Sequence, residues 1–272
     1  MQVVALIPAY NEEKTIAQTV EAALHIAGVS QVLVVDDGST DATAARANKA
    51  GATVVKSPRN RGKGAALELG VEALGGGAAA GDALPGPPPG VEALDGGAEE
   101  HGLTRQAGAL AEALDAWAAL DAATQHPDII LLLDADLEAT AAQAEPLLAP
   151  LLADKAAMAI ALPPAPNKKG GFGLVKNLAR DAIFKLGDGF EAQAPLSGQR
   201  ALTWDCLQAL RPFAQRYGVE VALTIRALQQ GFRVVEVPVA TRHRETGRDL
   251  QGFIHRGKQY LDVKRALREL RR

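Results

Sequence analysis

The chain has 272 residues, and its 29 Lys and Arg against 32 Asp and Glu give a formal net charge of −3 at pH 7. That length allows a substantial core, and the slightly acidic balance leads us to expect no nucleic-acid partner. The sequence has no run of about 18 apolar residues, no basic leader and a single cysteine, Cys206, so we expect a cytoplasmic protein without a membrane span, signal peptide or disulfide.

Residues 1–74 alternate strand-like and helix-like segments. Short apolar runs predict three strands, namely VVALIP, QVLVVDD and ATVVKS. Longer periodic stretches predict the helices that follow them, namely EEKTIAQTVEAALHIA, STDATAARANKAG and GKGAALELGVEAL. We expect Ser39 or Thr40 to cap the second helix and Gly51 to end it. This alternation predicts a parallel sheet covered by helices on both faces.

The alternation is interrupted at residues 75–127. Residues 75–102 are rich in Gly, Ala and Pro and offer little to bury, which predicts a disordered segment or a surface loop. Residues 103–125 carry Leu and Trp at helical spacing, which predicts a surface helix. Because strand-like sequence resumes at once in DIILLLDAD, we interpret residues 75–127 as an insertion into one domain.

The remaining chain again alternates helices and strands. Periodic stretches predict three helices, namely AAQAEPLLAPLLAD, LVKNLARDAIFKLG and YGVEVALTIRALQQG. Strands are predicted in AAMAIALPP, in the second part of APLSGQRALTW and in FRVVEVPVATRHR. Between them, NKKGGFG is a basic glycine loop, and residues 251–272 predict a basic amphipathic helix.

Three polar clusters follow predicted strands: residues 8–12 (PAYNE), 36–39 (DDGS) and 134–136 (DAD). Ligands of an open parallel sheet bind at the carboxyl ends of its strands, and carboxylates at the end of a buried strand are costly without partners. Carboxylate oxygens suit Mg²⁺ or Mn²⁺ bound together with substrate phosphates. The other interpretation, solvated acids in turns and at helix caps, stays open for each cluster taken alone.

A basic glycine-rich turn opens the third predicted helix, in RNRGKGAALELG. Gly62 and Gly64 allow close approach of a ligand to the backbone, and Lys63 places a cation near a helix amino terminus. The turn differs from the phosphate-binding loop G-x-x-x-x-G-K-[ST]. It therefore predicts either a phosphate contact or a solvated surface lysine.

Taken together, ALIPAYNEEKTI, VLVVDDGSTDAT, NRGKGAAL and ILLLDADLEAT resemble the GT-A glycosyltransferases of the family 2 type in order and spacing. The later stretches APLSGQRAL, YGVEVALTI and VATRHRETGRD are most similar to the branch that contains the glucosyl-3-phosphoglycerate synthases. The resemblance implies a single α/β domain with a GT-A, Rossmann-like sheet. Residues 1–74 and 128–140 would form its nucleotide-sugar half and residues 141–250 its acceptor half.

The resemblance also implies roles for individual residues. Asp136 and His243 would hold Mg²⁺ or Mn²⁺, and Glu220 would lie near the acceptor hydroxyl as a general base or as an orienting group. Asp136 and Glu220 are thus the expected catalytic residues. The expected donor-binding residues are Pro8, Ala9, Tyr10, Glu12, Asp37, Lys63, Asp134 and Ala135. The expected acceptor-binding residues are Leu196, Ser197, Gly198, Lys169 and Gly171.

The implied reaction moves a sugar from UDP-glucose or a similar nucleotide-sugar donor to a small phosphorylated acceptor such as 3-phosphoglycerate. One departure opens an alternative, because NKKGGFGLVKN lacks the Arg-x-Thr element with which that branch recognises its acceptor. A polyprenyl phosphate is then the competing acceptor, as in enzymes of the dolichol-phosphate mannosyltransferase type. The basic tail would in that case touch a membrane surface.

Two other classes of protein remain as alternatives to a glycosyltransferase. A nucleotidyltransferase would place its glycine-rich loop in the first turn, which here reads PAYNEE. A non-catalytic sugar-nucleotide-binding protein would lose the acceptor side, whereas Ser197, Glu220 and His243 are present. The stereochemical outcome and the formation of a homodimer are left open by the sequence.

Overall fold

The computed structural model describes residues 1–75, 126–164, 173–214 and 218–242. Seven strands form one sheet in the order β3-β2-β1-β4-β6-β5-β7. Strand β6 is antiparallel to its neighbours β4 and β5, and the six other strands all run in one direction. The strands are β1 Val3–Ala9, β2 Val29–Asp36, β3 Thr53–Lys56, β4 Ile129–Leu132, β5 Met158–Leu162, β6 Arg200–Thr203 and β7 Val234–Pro238. The predicted α/β class with a mostly parallel sheet is therefore confirmed.

Helices cover both faces of this sheet. They are α1 Ile16–Leu24, α2 Thr43–Lys49, α3 Lys63–Leu74, a 3₁₀ helix Glu138–Leu147, α4 Ala149–Leu152, α5 Leu174–Leu186, α6 Trp204–Ala209 and α7 Val219–Gln229. In β1, alternate side chains enter different cores: Ala5 and Ile7 face α1 and the 3₁₀ helix, whereas Val4 and Leu6 face α3, α6 and α7. This two-sided burial explains why the central strands read as continuous apolar runs.

Two predicted details of the helices are wrong. Helix α2 begins at Thr43 rather than after Ser39 or Thr40, because those two residues hydrogen-bond to Asn11 instead of capping the helix. Residues 141–154 form a 3₁₀ helix followed by one α-helical turn, not a continuous α-helix. Pro146 and Pro150 have no backbone N–H, so each removes a hydrogen bond that a continuous helix would need.

Other boundaries also differ from the prediction. Helix α1 is shorter than predicted, because Thr15 and Ile16 donate their amides to Glu12 O in the turn before it. Helix α6 was not predicted. It is capped by Thr203, whose hydroxyl accepts from the amide of Cys206. The predicted loop at 75–102, the helix at 103–125 and the basic tail lie outside the described residues, apart from Gly75.

The strand directions bring three polar clusters and one loop to a single edge of the sheet. Strands β1, β2 and β4 end at this edge, and the antiparallel strand β6 begins there, with Arg200 opposite Leu132. The loop that precedes β6 therefore lies beside the residues that follow β4. Helices α3 and α7 contribute their amino-terminal residues, Lys63 and Glu220, to the same edge.

Candidate functional site

The loops after β1 and β2 are hydrogen-bonded to each other. The amide of Asn11 donates to Ser39 Oγ at 2.9 Å, and Asn11 Oδ1 accepts from the amide of Thr40 at 2.9 Å. The amide of Glu12 donates to Thr43 Oγ1 at 2.8 Å. Asn11 has a φ of 56°, a conformation that asparagine tolerates better than most residues. These contacts fix the position of Tyr10, whose side chain is exposed at the rim.

Pro8 and Ala9 are the last residues of β1, and Ala9 O accepts the amide of Asp37 at 2.8 Å. The buried carboxylate of Asp37 accepts from the amides of Arg61 at 3.0 Å and Gly62 at 2.7 Å. Asp37 thus holds the glycine-rich turn against the end of β2. Residue Gly38, with a φ of 76°, lets this turn come close, because a Cβ there would lie 2.7 Å from Arg59 Cα.

Lys63 joins two carboxylates at the centre of this edge. Its Nζ lies 2.6 Å from Asp134 Oδ1 and 2.8 Å from Glu220 Oε1. Burial alone would lower the pKa of Lys63, but the charges and hydrogen bonds of Asp134 and Glu220 raise the pKa above its ordinary value. Lys63 is therefore not a solvated surface lysine. Its ammonium also contacts Glu220, which was expected near the acceptor. Glu220, with a side chain 13% exposed, is not a surface helical glutamate.

The second oxygen of Asp134 is held from the other side. The amide Nε2 of Gln199 donates to Asp134 Oδ2 at 2.5 Å, and Gln199 is buried. Gly198 lies directly against this pair, because a Cβ there would come within 2.7 Å of Asp134 Oδ1 and 2.8 Å of Lys63 Nζ. Gly198 was expected at the acceptor site, and the structure places it between the two halves. Gln199 was missed by the sequence analysis.

Asp136 follows on the same turn and is partly exposed. Ala135 is buried, and its carbonyl accepts from Thr19 Oγ1 at 3.0 Å, which fixes the turn to α1. Four residues after Asp136, Thr140 Oγ1 donates to Arg242 O at 3.0 Å and accepts the amide of Arg242 at 3.1 Å. The segment that leads to His243 is thus attached to the turn that carries Asp136.

No cluster of three or more His, Cys, Asp or Glu side chains suited to a metal occurs in the described ranges. His243, Lys169 and Gly171 lie outside those ranges, so the roles expected for them stay predictions. Of the two acids in Asp134-x-Asp136, Asp134 is already held by Lys63 and Gln199. The role of Asp136 as a metal ligand stays a prediction.

The loop before β6 is anchored at both ends. At its start, the Glu236 carboxylate accepts from the amides of Gln193 at 2.9 Å and Ala194 at 2.7 Å. At its end, Arg200 Nε donates to Ser197 O at 2.9 Å. The Ser197 hydroxyl is buried and has no hydrogen-bond partner among the described residues, and Leu196 is exposed. Arg200 was not identified from the sequence, and neither was Glu236, whose contact with Gln193 spans 43 residues of the chain.

A cleft of about 940 Å³ opens beside this loop. One wall is the loop itself, with Leu196 and Ser197, and the opposite wall is α5. The α5 wall carries Lys176, Arg180, Lys185 and the acid Asp181 together with the exposed ring of Phe184, and Glu191 also lines the cleft. The cleft therefore combines three cations and two acids with apolar surface.

The chain is similar to known proteins in sequence and in structure. Residues 4–77 match the sequence model of glycosyl transferase family 2. A curated protein of Methanocaldococcus jannaschii, the uncharacterised protein MJ1222, is 26% identical over 250 residues, which cover 90% of this chain and 83% of that protein.

Solved structures of glucosyl-3-phosphoglycerate synthase from Mycobacterium tuberculosis are similar over almost the whole chain. The complex with phosphoglyceric acid gives a TM-score of 0.69 at 23% identity, covering 99% of this chain and 79% of that one. The complex with Mn²⁺, uridine diphosphate and phosphoglyceric acid gives 0.68 at 23% identity, with 99% and 78% covered. This likeness establishes the predicted GT-A fold. Within the described residues, every helix is too short or too polar to cross a membrane.

Proposed function

We propose that this protein, a family 2 glycosyltransferase with the GT-A fold, moves a sugar from a nucleotide-diphosphate donor, UDP-glucose or a similar UDP-sugar, to a small phosphorylated acceptor. One observation carries the proposal: Lys63 lies between Asp134, which follows a strand of the donor half, and Glu220, which opens a helix of the acceptor half. A donor diphosphate and an acceptor hydroxyl brought to this edge would meet at these three side chains.

The donor would bind across the ends of β1, β2 and β4. The hydrogen-bonded loops at Asn11 and Asp37 offer a rigid rim for the nucleoside, with Pro8, Ala9, Tyr10 and Glu12 on its first side. The amino terminus of α3 would attract the diphosphate, because it presents partial positive charge, and Lys63 would lie beside it between Asp134 and Glu220. Asp134 and Ala135 would then face the ribose or the groups around the metal.

We assign the metal, Mg²⁺ or Mn²⁺, to Asp136 and His243. The crystal complexes of the Mycobacterium tuberculosis enzyme with Mn²⁺ and uridine diphosphate support a divalent ion in this fold. Asp136 is the partly exposed acid of this turn, which places its carboxylate where a metal and a diphosphate could reach it. When bound, the ion would act as a Lewis acid that stabilises negative charge on the departing nucleotide diphosphate.

Glu220 would orient the acceptor hydroxyl or take its proton. Its carboxylate is held by the Lys63 ammonium at 2.8 Å, so the group is fixed before an acceptor arrives. The acceptor would enter through the cleft at Leu196 and Ser197, with Gly198 as the next residue of the chain, and we expect Lys169 and Gly171 to contribute to its binding. The cations along α5 favour an acceptor that carries phosphate or carboxylate, such as 3-phosphoglycerate.

A second acceptor is supported by the same cleft. Its volume of about 940 Å³, with exposed Phe184 and Leu196 beside the cations, is large for a three-carbon acid and also suits a phosphate on an apolar chain. A polyprenyl phosphate is therefore the alternative acceptor. It would also give the basic tail at residues 251–272 a reason to contact a membrane surface.

The test is a screen of nucleotide-sugar donors against both acceptor types with Mg²⁺ or Mn²⁺, followed by NMR of the anomeric configuration of the product. We expect transfer from a UDP-sugar that EDTA abolishes. Asp136→Asn should keep the fold and remove most turnover, and calorimetry should show tighter UDP binding with Mn²⁺ than with EDTA in the parent only. Equal UDP affinity with and without metal in the parent would exclude the metal site, and absence of transfer with every pair would exclude the proposed reaction.

A further inference from the structure

Arg200 is an unusual residue at the start of a central strand. Its side chain is completely buried, and no carboxylate among the described residues forms an ion pair with it. One of its terminal nitrogens, Nη2, has no hydrogen-bond partner. Burial lowers the pKa of Arg200 to about 10, a shift that the negative charges of Glu220, Glu236 and Asp134 partly oppose. An apolar side chain would fill this position at less desolvation cost, so stability alone does not explain an arginine here.

The two hydrogen bonds of Arg200 to oxygen run to different parts of the site. Nε donates to Ser197 O at 2.9 Å, in the loop before β6. Nη1 donates to Thr224 Oγ1 at 2.8 Å, on α7. The planar guanidinium fixes the angle between these two bonds, which a lysine could not do.

Thr224 carries the connection on to Glu220. Its hydroxyl donates to Glu220 O at 3.0 Å, and Thr224 itself is completely buried. The carboxylate of Glu220 contacts Lys63, and Gly198, one residue after Ser197, lies against Lys63 and Asp134. A chain of contacts therefore runs from the loop through Arg200 and Thr224 to the first turn of α7.

We propose that Arg200 is a positioning residue that holds the Ser197–Gly198 loop and Glu220 in one fixed relation, so that an acceptor bound at the loop meets the Glu220 carboxylate. It acts through Ser197 and Thr224 and touches no substrate. The consequence for transfer rests on the proposed function, whereas the effect on the loop does not. Replacing Arg200 should therefore slow transfer to the acceptor and leave binding of the donor unchanged.

Two measurements test this role. Hydrogen exchange of the ligand-free protein reports on the loop: in Arg200→Met, the Ser197 and Gly198 amides should exchange about tenfold faster. Kinetics report on the reaction: acceptor transfer should fall by about 10-fold to 100-fold, with a raised acceptor KM. Hydrolysis of the donor in the absence of acceptor, and UDP affinity with Mn²⁺, should each stay within about twofold.

Matched variants separate positioning from general destabilisation. Thr224→Ser keeps the hydroxyl and should retain the transfer-to-hydrolysis ratio, whereas Thr224→Val removes it and should lower the ratio in the same direction as Arg200→Met. Ile130→Val, at a buried position of the neighbouring strand β4, should lower stability and leave the ratio unchanged.

The inference is overturned if Arg200→Met leaves loop exchange and the ratio at the parent values, or if it lowers transfer, hydrolysis and UDP affinity equally. If the parent transfers no sugar to any acceptor, the proposed function fails. The exchange of Ser197 and Gly198 then decides by itself whether Arg200 fixes the loop.

Discussion

Lys63 Nζ lies 2.8 Å from Glu220 Oε1, although the two residues begin different helices on opposite sides of the undescribed segment 76–125. The same nitrogen lies 2.6 Å from Asp134 Oδ1. One ammonium thus forms ion pairs with two carboxylates. Lys63 therefore joins the turn after β4 to the first turn of α7, in addition to the contact with the donor that the sequence suggested.

Lys63→Met should therefore damage both halves. Without the ammonium, Asp134 and Glu220 are left as partly buried carboxylates, and we expect a loss of about 1–3 kcal/mol in the free energy of unfolding. Turnover should fall by at least about 100-fold, because a preorganised charge at the diphosphate is lost. Thermal unfolding and steady-state kinetics measure the two effects.

The control for this variant is Lys155→Met. Lys155 is exposed and precedes β5, at the opposite edge of the sheet from the site. It should change neither stability nor turnover appreciably. If Lys63→Met were as active as Lys155→Met, the ammonium would have no part in the reaction.

Gly198→Ala should disturb the site while leaving the sheet intact. The added Cβ would lie 2.7 Å from Asp134 Oδ1 and 2.8 Å from Lys63 Nζ, so the ion pair must move. The atom nearest to the added Cβ is Asp134 Oδ2, so the Asp134 carboxylate must also shift and its contacts with Lys63 and Gln199 are weakened. We expect turnover to fall by about 10-fold to 100-fold, with a small change in melting temperature.

Gly173→Ala is the matched substitution, because a Cβ there meets nothing closer than 3.6 Å. Its turnover should equal that of the parent. Parent-like kinetics in both glycine variants would show that the contact between Gly198 and the ion pair does not matter for the reaction.

The sequence predicted the parts of the site that strand ends alone determine. Residues 8–12, 36–39 and 134–136 each follow an apolar run, and parallel strands must bring such segments to one edge. The parts that it missed depend on tertiary contacts. Gln199 reaches Asp134 across 65 residues, and Glu236 reaches Gln193 across 43. No local pattern marks such pairs.

Two errors in the predicted helices have different causes: one depends on a distant contact, and the other is a local signal that was overlooked. Ser39 was expected to cap α2, but it bonds to Asn11, 28 residues away, and such competition for a hydroxyl cannot be seen in a local window. Helix α6 was missed although the signal was present. Thr203, followed by Asp205 in the first turn, is an ordinary start signal for a helix and was assigned to a strand instead.

His243→Ala should raise the metal concentration needed for half-maximal activity. The reason is the attachment of Arg242 to Thr140, which brings the chain just before His243 to the turn that carries Asp136. A neutral imidazole is a good ligand for Mn²⁺ and a tolerable one for Mg²⁺. Metal binding should weaken by about 1–3 kcal/mol, while metal-free UDP affinity stays nearly unchanged in calorimetry.

His255→Ala, in the basic tail, serves as the control for this titration. It should show the metal dependence of the parent. If His243→Ala does so as well, Asp136 needs other partners for the ion, and His243 is an ordinary residue after the last strand.

The thiol of Cys206 should ionise at alkaline pH only when the protein unfolds. Burial raises the pKa of its thiol to about 12, whereas an unfolded thiol ionises near pH ~8.5. Between these values the unfolded state binds fewer protons than the native state, so stability should fall as pH rises, by at most about 1.4 kcal/mol per pH unit from this group. Urea unfolding at pH 8, 9 and 10 should show a flatter decline in Cys206→Ala than in the parent.

Iodoacetamide labelling gives a second measure of the same thiol. Cys206 is completely buried, so its alkylation in native buffer should follow the rate of opening and not the reagent's intrinsic rate. Rapid labelling of the native protein would contradict a buried thiol. Equal pH dependence of stability in the parent and in Cys206→Ala would contradict a raised pKa for this thiol.

Residues 76–125 should be replaceable, because the two ends of this segment meet at one side chain. A Cβ at Gly75 would lie 3.5 Å from the ring of Trp204, and the ring of His126 stacks on the same indole with centroids 5.1 Å apart. A linker of about six Gly and Ser residues, which can span up to ~20 Å, should therefore join Gly75 to His126 without strain. The composition of residues 76–102 offers little to a core.

Two deletion variants test residues 76–102 and residues 103–125 separately. Replacing 76–102 alone should leave the melting temperature and turnover close to those of the parent, because the predicted helix at 103–125 is kept. Replacing 76–125 tests whether that predicted helix packs on the domain. A large drop in melting temperature in the second deletion only would show that residues 103–125 cover part of the sheet or of α6. A drop in the first would mean that the Gly-rich stretch itself packs, contrary to what its composition predicts.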